Sequence, residues 1–117
     1  MKIKYKSLPN MDIAIMELHG NLIGDTENDK LAKMIRHAFD QGNRKLILDM
    51  GRVSYINDTG LDILIQIHTH CSNRDGRLKL CRVGVHMNNN FILTKLVRMF
   101  DIEATQEKAI YSLIINT

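Results

Sequence analysis

Tryptophan is absent from the 117-residue chain, proline occurs once, cysteine twice, and aromatic residues make up only 5%. So few aromatics leave little for nucleotide bases to stack on. Lys and Arg are also dispersed, with only a loose gathering at Arg74, Arg77, Lys79 and Arg82, so no nucleic-acid partner is expected. No apolar run approaches the roughly 18 residues of a membrane span, and no membrane insertion is expected. The opening MKIKYKSLPN alternates Lys with apolar residues and has no signal-peptide core, which points to the cytoplasm. Cys71 and Cys81 could in principle pair, but in that compartment they are expected as reduced, partly buried thiols.

What is present is the balance of a soluble globular chain: 44% apolar and 25% charged residues, with a formal net charge of +3. The length fits one domain, 1–117, without repeat, low-complexity tract or linker. KIKYKSL alternates like an edge strand. DIAIMELHG is a stronger strand, with Ile13 and Ile15 on one face and Ala14, Met16 and Leu18 on the other. Pro9-Asn10 between them predicts a hairpin. GDTEND opens a helix that Asp25 or Thr26 can cap, and Leu31, Met34, Ile35, Ala38 and Phe39 supply its apolar face. KLILDM reads as a short central strand, ending near Asp49. A second helix follows, with a stripe of Leu61, Leu64, Ile65 and His68 that Ile63 and Ile67 widen. A turn at Asp75-Gly76 leads to another strand. A third helix over 88–100 turns Ile92, Leu96, Met99 and Phe100 inward. DIEA and a helix started by Thr105 complete a β-β-α-β-α-β-α-(β)-α order, which implies a mixed sheet with helices on its faces.

Between the central strand and the second helix stands SYINDTGLDIL, residues 54–64. A strand end meeting a helix N-terminus is where α/β sheets place their sites, because backbone N–H groups are free there. Asn57, Asp58 and Thr59 are all good helix caps, and Gly60 lets another backbone approach closely. Taken by themselves, these residues read first as a well-capped helix and nothing more.

The order of elements, with HGNLIGDTENDKLAKMI and KLILDMGRVSYINDTGLDIL in place, resembles the STAS domain of bacterial anti-sigma-factor antagonists over nearly the whole chain. The resemblance implies an α/β fold with a mixed sheet of four to five strands and about four helices. It implies a non-enzymatic protein without cofactor or metal, a monomer or weak dimer. In that family the hydroxyl residue before the Gly is phosphorylated, which is Thr59 here. The unphosphorylated protein binds an anti-sigma factor that is also a histidine-kinase-like Ser/Thr kinase, and so frees a sigma factor. Phosphorylation breaks the complex and a phosphatase restores it. Expected contacts are Gly24, Asp25 and Thr26, then Asn57, Asp58, Gly60 and Leu61, and finally Val83, Gly84, Val85 and His86. This sequence departs from the family pattern at Asn57, where Asp is usual, and at Asp58, where a small Ser is common. Asp58 sets a carboxylate beside the acceptor hydroxyl. The alternative is a STAS module in another assembly, a stressosome-like scaffold or a lipid-transport accessory subunit, without phosphorylation.

Two other constellations point elsewhere. Asp49 at a strand end is reminiscent of a receiver's phosphoaspartate, yet the required acidic pair after the first strand is missing. His68, His70 and Cys71 are metal-ligand types, but His70 points away from the other two on a helix, and a closed zinc site needs four ligands.

Overall fold

A computed structural model describes residues 1–24, 27–84 and 90–115. Strands β1 (Lys2–Leu8), β2 (Ile13–Leu22), β3 (Lys45–Ile56), β4 (Arg77–Cys81) and β5 (Asp101–Glu103) lie side by side in that order. A 3-10 turn at Pro9–Met11 joins β1 to β2 as an antiparallel hairpin, and the remaining pairs are parallel. Helices α1 (Glu27–Asp40), α2 (Asp58–Asn73) and α3 (Asn90–Met99) make the crossovers, and α4 (Gln106–Ile115) ends the described chain. The expected order and fold class are thus observed, with five strands and four helices among the described residues. The expected caps of α1 and α3 fall on Asp25, Thr26 and the Asn residues before α3, which lie outside the described residues apart from Asn90.

The period-two pattern of β2 decides how the sheet is covered. Ala14, Met16 and Leu18 join Leu46, Leu48 and Leu80 beneath α1, α2 and α3 in the main core. Ile13 and Ile15 face the other way and pack with Ile47, Cys81, Ala109 and Leu113 beneath α4 alone. On α1 the predicted stripe is in place: Leu31, Ile35, Ala38 and Phe39 are buried, with Met34 partly so. Thr105 starts α4 as expected, its hydroxyl accepting a hydrogen bond from the Lys108 N–H at 3.1 Å.

Three expectations need correction. The short strand KLILDM is the first half of a 12-residue strand that runs on to Ile56. Gly51, Arg52 and Ser54 interrupt its apolar run, and two register shifts against β2 absorb the irregularity. Asp49 therefore lies within β3, not at its end. On α2 the buried stripe is Leu61, Leu64, Ile67 and Cys71, whereas His68 is exposed and meets the Phe100 ring edge-on at 5.5 Å. On α3 the inward line is Ile92, Leu96 and Phe100, spaced four apart, which turns Met99 outward to 46% exposure.

Both cysteines are free and buried, Cys71 in the main core and Cys81 in the smaller one, with the sheet between them. They cannot meet without unfolding. Burial pushes the Cys71 thiol up to about 11. Cys81 is pushed up to about 12, chiefly by burial, with Asp49 and Glu17 adding to the rise and Arg82 opposing it. A thiol reagent at pH 8 is expected to leave both unmodified in the native protein and to label both in denaturant. An ordinary thiol ionises near 9.0. Above that value the unfolded chain loses protons that the folded chain keeps, so stability falls as pH rises from about 9 towards 11. Denaturation midpoints across that range, compared with a Cys71→Ala/Cys81→Ala variant whose decline is shallower, check the sign.

Candidate functional site

Adjacent parallel strands point their C-terminal ends the same way, so the loops after β2, β3 and β4 leave on one side of the sheet. Gly24 follows β2, Asn57 to Leu61 follow β3, and Val83 and Gly84 follow β4. Gly24 and the residues from Asn57 to Leu61 lie near one another, since Leu22 pairs with Ile56, whereas β4 stops at Cys81 opposite Asp49, so Val83 and Gly84 leave it beside the middle of β3. Asp25, Thr26, Val85 and His86 fall outside the described residues.

Asn57 organises the junction. Its extended backbone (φ −101°, ψ −176°) stops β3, and its carbonyl accepts the first helical hydrogen bond, from the Leu61 N–H at 2.9 Å. Its side-chain Oδ1 accepts from the Gly60 N–H at 2.9 Å, the N-cap interaction anticipated for this residue. The Asn57 backbone N–H donates to the Leu22 carbonyl at 3.3 Å, and Nδ2 donates to the Ile23 carbonyl at 3.2 Å. An aspartate here would keep the cap but have no N–H for Ile23. The departure from the familiar Asp thus carries a specific contact, holding the end of β2 against the start of α2.

Gly60 makes that contact sterically feasible. A Cβ on it would land on the Leu22 carbonyl oxygen and lie 2.8 Å from the carbonyl carbon. Gly60 and Leu61 are buried, so they support the surface from beneath. Asp58 and Thr59, the first two residues of α2, are exposed. The Thr59 hydroxyl therefore reaches solvent beside the positive end of a capped helix, where first-turn N–H groups lack intrahelical acceptors.

Thr59 also lines the end of a groove of about 490 Å³ between α1 and α2. Ala32, Ile35, Ile63 and Ile67 give it apolar walls; Asp29 and Asp62 lie on the helix turns near Thr59, with Arg36 and His70 further along. Asp29, Asp58 and Asp62 make the surroundings of the hydroxyl acidic.

A second polar centre escaped the sequence reading. Asp49 is only 1% exposed, yet its carboxylate accepts from the Gly51 N–H at 2.9 Å, Arg82 Nε at 2.9 Å and Gln106 Nε2 at 2.8 Å. It joins β3, the turn after β4 and the first residue of α4. Charge at a strand was the available signal, but the partners lie 33 and 57 residues away. This tied, interior carboxylate does not have the strand-end placement of a receiver phosphoacceptor. His68, His70 and Cys71 likewise diverge: His68 meets Phe100, His70 meets Phe39, and Cys71 is buried in the core.

A hairpin followed by parallel βα units, with a capped helix presenting Thr59 at the sheet edge, defines a STAS-type domain. The STAS domain profile matches residues 4–109, and the chain belongs to that family. Among its relatives is BtrV of Bordetella bronchiseptica, named for an expected role as an anti-sigma factor antagonist; the two are 24% identical over 109 residues, 93% of this chain and 91% of BtrV. The fold is similar to that of the anti-sigma factor antagonist SpoIIAA in its unphosphorylated form (TM-score 0.73, 17% identity, 96% of this chain and 97% of the other). It is equally similar to the Bacillus SpoIIAA in its phosphorylated form (TM-score 0.71, 16% identity, 96% and 99%). No helix of the described residues is long and apolar enough to cross a membrane.

Proposed function

We propose that this protein is an anti-sigma factor antagonist that docks its loop-bearing sheet edge onto an anti-sigma factor, itself an ATP-dependent Ser/Thr kinase, and is released by phosphorylation of Thr59. The observation that carries the reading is the exposed Thr59 hydroxyl at the start of a helix whose cap and first turn are anchored to β2. Transfer of the γ-phosphoryl group of ATP to this hydroxyl would yield phosphothreonine and ADP, and a phosphatase would reverse the state. The protein would act by binding, without a cofactor and in the cytoplasm, as a monomer or weak dimer.

The physics favours a switch at the interface over one in the fold. A phosphate adds about −1.5 to −2 charges at neutral pH. The helix N-terminus accommodates part of that charge, while a partner packed against Thr59 would have to desolvate it. Asp29, Asp58 and Asp62 already make this corner acidic, so a docking surface suited to it carries Arg or Lys. SpoIIAA is described in phosphorylated and unphosphorylated forms, and this chain resembles both alike, in keeping with a modification that leaves the fold standing.

With a purified partner kinase and ATP, the wild type is expected to take up one phosphate, located on Thr59 by mass spectrometry. Thr59→Ala is expected to take up none while retaining partner binding, and the phosphorylated protein should bind at least 100-fold more weakly. The carboxylates beside Thr59 favour one second reading: a partner-binding STAS module without phosphorylation, in a stressosome-like scaffold or a lipid-transport assembly. Retained partner binding with no phosphate uptake would select it.

A further inference from the structure

Helix α4 packs on β3, β4 and β5 and covers Ile13 and Ile15 in the first half of β2, while the residues of β1 and of the second half of β2 on that sheet face are exposed or only partly buried. Register fixes what stands there. Lys2, Lys4 and Lys6 of β1 pair with His19, Glu17 and Ile15 of β2, and His19 pairs with Arg52 of β3. Paired residues share a face, so all of these lie on the α4 side of the sheet. Lys2, Lys4, Lys6 and Arg52 are exposed, and none has a carboxylate bonded to it among the described residues. The one carboxylate of this open area, Glu17, is bonded to His19 at 2.6 Å. Four cations against one carboxylate leave an excess of three, the whole formal net charge of the chain. The Thr59 corner, by contrast, is acidic.

β1 is also an edge strand of seven residues. Such a strand presents a row of outward N–H and C=O groups to which another strand can be added. Its alternate residues Ile3 and Tyr5 point the other way and pack partly against the main core. We propose that the β1 edge receives an extended acidic segment of a partner protein, added as a sixth strand with Asp or Glu alternating with apolar residues. Its carboxylates would lie beside Lys2, Lys4 and Lys6, and its apolar residues would extend the layer made by Ile3 and Tyr5. Cross-strand opposite charges favour that pairing. A second copy of β1 would set Lys against Lys, so the edge selects against itself while accepting an acidic strand. The site needs neither Thr59 nor its corner.

The probe is a capped seven-residue peptide in which Glu alternates with Val, titrated into the full chain at low salt. The amide signals of β1 should shift, and Lys2→Gln/Lys4→Gln/Lys6→Gln should weaken binding at least tenfold while leaving the unfolding midpoint unchanged. A peptide of the same composition with its Glu residues in one block, or with alternate backbone nitrogens methylated, should bind at least tenfold more weakly. Equal binding of the blocked or methylated peptide would overturn strand addition. So would shifts confined to other strands. Tighter, lysine-dependent binding to phosphatidylglycerol vesicles than to the alternating peptide would assign the face to a membrane and overturn the proposal as well.

Discussion

Gly60→Ala is expected to destabilise the protein by about 3 kcal/mol and to lower Tm by about 10 °C or more. Helix propensity alone predicts the opposite, since Ala is favoured over Gly in a helix by about 1 kcal/mol. Steric overlap wins here because the new Cβ would meet a backbone carbonyl, that of Leu22, and the Ile56 side chain at 3.1 Å. That carbonyl cannot swing aside cheaply. It accepts the Asn57 N–H, and the next carbonyl accepts the Asn57 side chain. Relief requires the first turn of α2 to move away from β2, which breaks these bonds and uncaps the helix. The control is Asp58→Ala on the exposed side of the same turn, expected to change stability by less than about 1 kcal/mol. Urea denaturation followed by circular dichroism measures both. Equal midpoints for the two variants would show that α2 tolerates a Cβ against β2.

That prediction also marks how far sequence reasoning reaches. A Gly after Asn-Asp-Thr signals a close backbone approach, and Asn57 signals a cap; both are local chemistry, readable within four residues. Which backbone approaches was not readable, because Leu22 arrives through the pairing of β2 with β3. The same distinction explains the strands. Continuous apolarity identified the first half of β3, but its second half carries Arg52, Ser54 and Tyr55 on an open face and needs only Val53 and Ile56 for the core. Periodicity placed the faces of α1 correctly because each buried position is occupied by an apolar residue. On α2, Ile63, Ile65 and Ile67 offered several overlapping stripes, and packing chose the one through Ile67 and Cys71. The Thr59 corner was legible as a motif. The basic β1 face was not, since three alternating lysines acquire their meaning only when α4 is seen to stop short of β1.

The second large effect is expected at Arg82, whose replacement by Ala should cost about 3 kcal/mol. Removing one member of a buried ion pair typically costs 3–5 kcal/mol, because the remaining charge is stranded. The lower end applies here: the Arg82 side chain is 38% exposed, so water can reach the place it leaves, whereas Asp49 is buried and keeps two neutral donors. Arg82 has a second peculiarity, a left-handed backbone with φ 54°. Ala is strained in that conformation by about 1 kcal/mol, and Gly is not. Arg82→Gly, which loses the same guanidinium, should therefore be less destabilised than Arg82→Ala by about that amount. If the two variants unfold alike, strain at this position contributes nothing. Gly51 offers an independent check, since a Cβ there would land in the Arg82 guanidinium and displace it from Asp49. Gly51→Ala should then reproduce much of the loss without touching either charge, and combining it with Arg82→Ala should add little, because both remove the same ion pair. Through the Arg82 N–H, which donates to the Glu103 carbonyl at 3.2 Å, the pair also fixes the path into Val83 and Gly84. Weaker partner binding should accompany the stability loss in all three variants if that turn belongs to the docking edge.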